Sequence, residues 1–363
     1  MQISRLWLLN FRNYENATLD FADNNLIVGP NGAGKTNVLE AIDILATSRS
    51  KIVNGLNKCI RYGQPGFAIN GQFAAGDDKS GESTAFTAAL RQEHGAGRVI
   101  KINEETLSRA SELLGRVNSV LFLPSDMEII HGQPVQRRKY LDIVISQAEP
   151  EYCRALQIYV RALKQRNELL KNMRAGQSGD LAVWDAQLAD CAARIMTARQ
   201  EYLEFFARET AQFYNAMGFT GRLTLQYKTK TLSDKQKNLD ALQNSRAEDL
   251  RFGRTHFGPH TDDFEIYLDE NKAAEFCSQG QKRLISIAFK CAEAKIKKQK
   301  LDDPPIVLID DVLLELDLIR LHKIIAAIAP RSQKIFTVTD TGRFAPELLK
   351  DMRIIKIENG KLA

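Results

Sequence analysis

The chain has 363 residues, with 50 Lys and Arg against 45 Asp and Glu, for a formal net charge of +5. Hydrophobic residues make up 44% and charged residues 26%, a soluble globular composition with room for two or three domains of roughly 100–200 residues. No apolar run approaches the roughly 18 residues of a membrane helix, and Arg5, Asn10 and Arg12 break any signal-peptide core, which predicts a cytoplasmic protein with no membrane partner. The charge permits nucleic-acid binding without arguing for it. Cys59, Cys153, Cys191, Cys277 and Cys291 form no CxxC pair and lie near no His ligand set, so they read as buried thiols.

In chain order, Leu6 to Phe11 and Asn25 to Val28 are strand-like, and a P-loop-like sequence then leads into an amphipathic helix from Asn37 to Leu45. Residues 61 to 104 alternate and carry frequent glycines, which predicts a meander of short strands. Val120 to Leu123 reads as a buried strand. From about Gln136 to Met217 the pattern is helical: Trp184, Leu188, Cys191, Ile195, Ala198 and Tyr202 share one face, and Leu156, Val160, Leu163 and Leu170 a second. The turn sequence at 174–180 joins them into an antiparallel hairpin. Strand patterns return at Phe264 to Leu268, Pro305 to Ile309 and Ile335 to Val338, and the chain closes on a small hairpin around Asn359-Gly360. Neither end holds a complete sheet. The expected organisation is therefore one split α/β head, residues 1–125 with 252–363, and an inserted α-helical lobe, residues 126–251.

Gly29-Pro30-Asn31-Gly32-Ala33-Gly34-Lys35-Thr36 matches G-x-x-x-x-G-K-[ST] between a strand and a helix, where such a loop wraps phosphates. Its glycines let backbone N–H groups turn inward on the anion, and the helix dipole favours negative charge there. Lys35 reaches the β- and γ-phosphates of a nucleotide, and Thr36 can ligate Mg2+. A second acidic position follows at the end of the run Ile306 to Ile309: Asp310 to hold Mg2+ and Asp311 to position the attacking water.

About 275 residues separate the two motifs, a spacing that resembles the split heads of ABC-type ATPases acting on DNA. Ser278-Gln279-Gly280-Gln281 is similar to the ABC signature S-G-G-Q, and as a helix start it also reads as an N-cap. The resemblance implies a site for the γ-phosphate held by a second subunit. Glu315-Leu316-Asp317 resembles the D-loop, with Asp317 near the dimer interface. The switch histidine of ABC transporters is replaced by Thr339-Asp340-Thr341.

The motifs, in order, resemble the RecF family of bacterial recombination mediators, relatives of SMC-type heads. They run from Leu8-Leu9-Asn10-Phe11-Arg12-Asn13-Tyr14, through Val120 to Asp126 with Gly132, Pro134, Arg137 and Arg138, to Gly258-Pro259-His260-Thr261-Asp262-Asp263. The last departs at Thr261, where the family has arginine. The resemblance implies an ATP-dependent DNA-binding ATPase that dimerises on ATP. It would act at single-strand gaps with RecO and RecR, and favour RecA loading and SOS induction. It also implies nucleotide contacts from Arg12 and Asn13 and a γ-phosphate sensor at Asp126. His260 reads equally as a site residue or a buried structural histidine.

Residues 136–175 hold nine Lys and Arg against four Asp and Glu, and Lys295, Lys297, Lys298 and Lys300 form a second group. Such groups suit sequence-independent phosphate contacts, or are simply solvated faces. Two other functions fit: a non-enzymatic scaffold whose nucleotide is structural, and a defence-type ABC ATPase. The second normally carries a nuclease domain, for which the roughly 50 residues after Asp311 are too few.

Overall fold

In the computed structural model, which describes residues 1–76, 83–310, 331–343 and 349–362, the chain divides into two units. The first holds Met1–Asp126, Gln212–Thr220 and Arg283–Ala363, and the second Met127–Ala211 and Gly221–Lys282.

The first unit contains β1 (Gln2–Phe11), β2 (Tyr14–Asp20), β3 (Asn24–Val28) and helix α1 (Lys35–Thr47). It continues through β4 (Gly66–Gly76), β5 (Ser83–Glu93), β6 (Gly97–Ile102), β7 (Glu105–Thr106) and β8 (Ser119–Phe122). In the second unit lie helices α2 (Glu128–His131), α3 (Pro134–Ala148) and α4 (Pro150–Arg174), and most of α5 (Ala182–Ala216). They are followed by β9 (Leu223–Lys228), α6 (Lys235–Asn244), α7 (Arg246–Phe252), β10 (Asp263–Leu268), β11 (Asn271–Lys272) and α8 (Ala273–Phe276). Helix α9 (Gln279–Leu301) leads to β12 (Ile306–Asp310), β13 (Lys334–Val338), β14 (Arg353–Glu358) and β15 (Lys361–Leu362).

Two six-stranded sheets build the first unit, in the orders β15-β14-β3-β13-β12-β8 and β2-β1-β4-β5-β6-β7. In the first sheet β14, β3, β13, β12 and β8 run parallel, and β3 and β8 from the first part of the chain are interleaved with strands from its last part. Every residue of β12 and β13 is buried, as continuous apolar runs become when both sheet faces are covered. The second sheet is the antiparallel meander expected of residues 61–104. Helix α1 packs between the sheets, touching β4 and β5 on one side and β8, β12 and β13 on the other. That position buries Val38, Leu39, Ala41, Ile42 and Leu45 completely. The Gln333 amide exchanges two 2.8 Å hydrogen bonds with the Ile3 backbone, tying the start of β1 to the residue before β13.

The second unit is not helical throughout: β9, β10 and β11 form a three-stranded antiparallel sheet. On α5 the expected face is buried at Leu188, Cys191, Ile195 and Tyr202. On α4 the reading from Leu156 and Val160 is corrected. Val160 is 56% exposed, and the inward face is Tyr152, Ala155, Tyr159, Ala162, Arg166 and Leu170. A polar residue leads this stripe because Arg166 is neutralised inside the unit, donating to Asp185 at 2.6 Å and Asp249 at 2.7 Å. The Gly258–Asp263 motif also packs inside the unit. Asp262 accepts from Tyr227 and Thr229, each at 2.7 Å, while Asp263 pairs with Arg137 through two 2.7 Å bonds.

Candidate nucleotide site

Three strands place the site. The loop Gly29–Gly34 leaves the carboxyl end of β3, Asp310 closes β12, and β13 lies between those strands. Ligands of parallel sheets bind at these carboxyl ends. A cavity of about 320 Å³ opens there, lined by Asn31, Gly32, Gly34, Lys35, Thr36, Asn37, Pro124 and Asp310. Helix α1 starts at Lys35, so its first-turn N–H groups, which have no partner within the helix, meet the cavity.

The loop is braced from behind. Asn13 donates to the Ala33 carbonyl at 2.8 Å and accepts from Asn37 at 2.8 Å. The Tyr14 hydroxyl donates to the Gly34 carbonyl at 3.0 Å, and Gly360 N–H to Ala33 at 2.9 Å. This bracing makes Gly34 obligatory: its φ is 111°, and a Cβ would sit 2.7 Å from the Asn13 amide and 3.0 Å from the Tyr14 hydroxyl. Lys35 is 7% exposed, and its ammonium donates to the Gly29 and Pro30 carbonyls at 2.8 and 3.0 Å.

The Thr36 hydroxyl meets both Asp310 carboxylate oxygens at 2.8 and 2.9 Å, and Thr337 of β13 donates to Asp310 at 2.7 Å. A hydroxyl beside one carboxylate at a phosphate loop is the hard-oxygen donor set that suits Mg2+, which keeps most of its waters and shares phosphate oxygens. Among the described residues no group of three His, Cys, Asp or Glu could hold a metal ion. The Thr36–Asp310 pair fits a nucleotide-borne Mg2+, whose other ligands are waters and phosphate oxygens.

The remaining expected site residues fall in different places. Arg12, at φ 57° in the β1–β2 turn, forms a two-pronged ion pair with the buried Glu40 of α1 at 2.7 and 2.8 Å. Asp126 accepts from Leu123 N–H at 2.7 Å, and burial raises its pKa against the pull of Lys290. Ser278 and Gln281 cap α9 reciprocally, at 3.2 and 2.9 Å, and Ser278, Gln279 and Gly280 are exposed. Asp311 and Asp317 lie outside the described residues. His260 is structural: one ring nitrogen meets the Tyr159 hydroxyl at 2.6 Å and the other the Thr255 carbonyl at 3.1 Å. Thr261 is exposed and donates to the Gly258 carbonyl at 2.8 Å.

Some basic residues turn out to be internal. Arg137 and Arg166 are buried in ion pairs, and Arg138 donates to the Asp262 carbonyl at 2.6 Å. Lys297 is fully buried and donates to the Ser119 carbonyl at 2.8 Å, so it leaves the expected surface group. Tyr14, Glu40, Thr337 and Gly360 were missed as parts of the site. Tyr14 stands in the motif beside Arg12 and Asn13, and the others carry no local signal.

A phosphate loop and an acidic strand end brought together across a split parallel sheet define an ABC-type P-loop ATPase head. Residues 2–361 match the family model described as the RecF/RecN/SMC N terminal domain. Over 377 aligned residues the chain is 35% identical to the DNA replication and repair protein RecF of Synechococcus sp. (strain JA-3-3Ab), covering 100% of this chain and 98% of that one. It is 33% identical to the protein of the same name from Heliobacterium modesticaldum, covering 100% and 99%. A solved structure of RecF with ATP, described as the recombination mediator protein of the RecFOR pathway, superposes with a TM-score of 0.91 at 29% identity, covering 99% and 96%. An Smc head bound to the C-winged helix domain of ScpA shares the fold, at a TM-score of 0.58 and 15% identity, covering 100% and 97%. The chain belongs to the RecF family of DNA replication and repair proteins.

Proposed function

We propose that this chain is an ATP-switched DNA clamp of recombinational repair. ATP binds in the Gly29–Thr36 loop, with Lys35 on the β- and γ-phosphates and Thr36 and Asp310 holding Mg2+. When bound, the cation screens the charge that develops on the phosphates. Asp311 positions the attacking water. Arg12, Asn13 and Asp126 lie around the nucleotide, Asn13 acting through the loop carbonyl it grips. Ser278, Gln279, Gly280 and Gln281 of one copy close on the γ-phosphate held by another, with Asp317 at that junction. The closed homodimer grips duplex and single-strand/duplex junctions through phosphate contacts, without sequence preference. With RecO- and RecR-like mediators in the cytoplasm it favours RecA loading and SOS induction. Slow, DNA-stimulated hydrolysis releases it.

The observation that carries this reading is the meeting of Thr36 and Asp310 at the mouth of a braced phosphate loop. The exposed Ser278–Gly280 cap supports closure between copies, since an N-terminus bound inside its own unit would be closed to a second phosphate. Light scattering with ATP and Mg2+ tests the switch: a dimer with ATP and a monomer without it are expected, and a constant mass contradicts it.

A further inference from the structure

A second polar depression lies in the first unit, beyond the carboxyl end of α1. The chain turns at Ser48, in the left-handed region at φ 55°, and the following loop reaches a short turn at Leu56–Cys59. This loop faces the β5–β6 hairpin across an open depression of about 490 Å³, walled by Asn54, Asn57, Lys58, Gln92 and Arg98. It shares no residue with the nucleotide cavity.

The wall contains cations and neutral amides and no carboxylate. Arg98 donates to the Ser48 carbonyl at 2.6 Å, and its pKa is lowered by burial and by the nearby charge of Arg49. Elsewhere in this unit Arg5, Arg12, Lys51 and Arg61 pair with Asp20, Glu40, Asp43 and Glu15. Among the described residues no ion pair forms at Arg49, Lys58 or Arg98. Like charges held together without a counter-charge favour an anion. The wall is anchored, since Gln92 donates to Asn57 at 2.8 Å and is 8% exposed. Leu56 is its one apolar lining residue, so a nucleobase finds no stacking platform. An open, charged, unstacked depression suits phosphates belonging to a chain that continues on both sides.

We propose that this depression binds two neighbouring backbone phosphates of nucleic acid, with Lys58 and Arg98 supplying the charge. The proposal rests on the DNA-binding reading above and adds a specific site to it.

The test compares the full-length chain with a Lys58→Ala/Arg98→Ala variant on a fluorescent 30-base-pair duplex with ATP, across a salt series. Loss of two phosphate contacts lowers affinity about tenfold or more and makes the log–log salt slope shallower by about 2, equally for unrelated sequences. Binding of a fluorescent ATP analogue stays unchanged. Equal affinity and slope in variant and parent overturn the depression as a DNA site. No DNA binding by the parent overturns instead the reading on which the proposal rests. If the double variant loses the ATP analogue, Arg98→Gln alone is read the same way, with a slope change of about 1 expected and no change contradicting the site.

Discussion

The Thr36 hydroxyl reaches both oxygens of the Asp310 carboxylate, at 2.8 and 2.9 Å, across 274 positions of sequence. One residue begins the helix after β3 and the other ends β12, and only a shared parallel sheet brings them together. Asp310→Asn keeps an acceptor for Thr36 and Thr337 but removes the negative charge. Hydrolysis of ATP is expected to fall about 100-fold or more, with nucleotide affinity in EDTA little changed. A steady-state rate within threefold of the parent would count against Asp310 as the cation's carboxylate.

Glu40 is 1% exposed and receives both prongs of Arg12 as well as the Ser50 hydroxyl. Glu40→Ala leaves a half-buried guanidinium unpaired and should cost about 3 kcal/mol in urea unfolding. Arg12→Ala should cost at least as much, because it leaves the buried Glu40 carboxylate without its counter-charge. Equal small losses from both would show that the pair is merely a surface contact.

Arg166, Asp185 and Asp249 are all fully buried. Arg166→Met leaves Asp249 without its guanidinium partner and Asp185 with Arg246 alone, and should destabilise the second unit by about 3–5 kcal/mol. Hydrogen exchange resolved by peptide reads this directly: protection should fall across α4 and α7 and persist in α1 and β12. Uniform loss, or none, would contradict it.

All five cysteines are buried and free of disulfides. Burial pushes the Cys59 and Cys291 thiols up to about 12. At pH 8 they are therefore neutral in the folded chain, and ionise only when unfolding returns them toward the ordinary thiol range. A disulfide reagent at pH 8 should label none of these two thiols in the native protein and both in urea. Rapid native labelling of Cys59 would contradict its placement.

The P-loop and the strand ending in Asp310 were legible because each is a local pattern: a glycine-rich turn between strand and helix, and an unbroken apolar run. The α5 face was legible for the same reason, as a 3.6-residue period. The α4 face was misread because periodicity counts hydrophobicity, whereas the buried stripe includes Arg166, whose partners Asp185 and Asp249 come from α5 and α7. The same blindness hid Glu40 behind Arg12, and placed Lys297 on the surface when its partners are Ser119 and Glu293. A charged residue reveals its burial only through partners distant in sequence.

The central claim is that ATP in the Gly29–Thr36 loop controls DNA binding. The most direct measurement is affinity for a gapped duplex with and without ATP, for the parent chain and for Lys35→Met. Coupling should raise parent affinity about tenfold or more with ATP, and Lys35→Met should abolish the rise while keeping the nucleotide-free level. Equal parent affinity in the two conditions, or a Lys35→Met variant that responds like the parent, would contradict the claim.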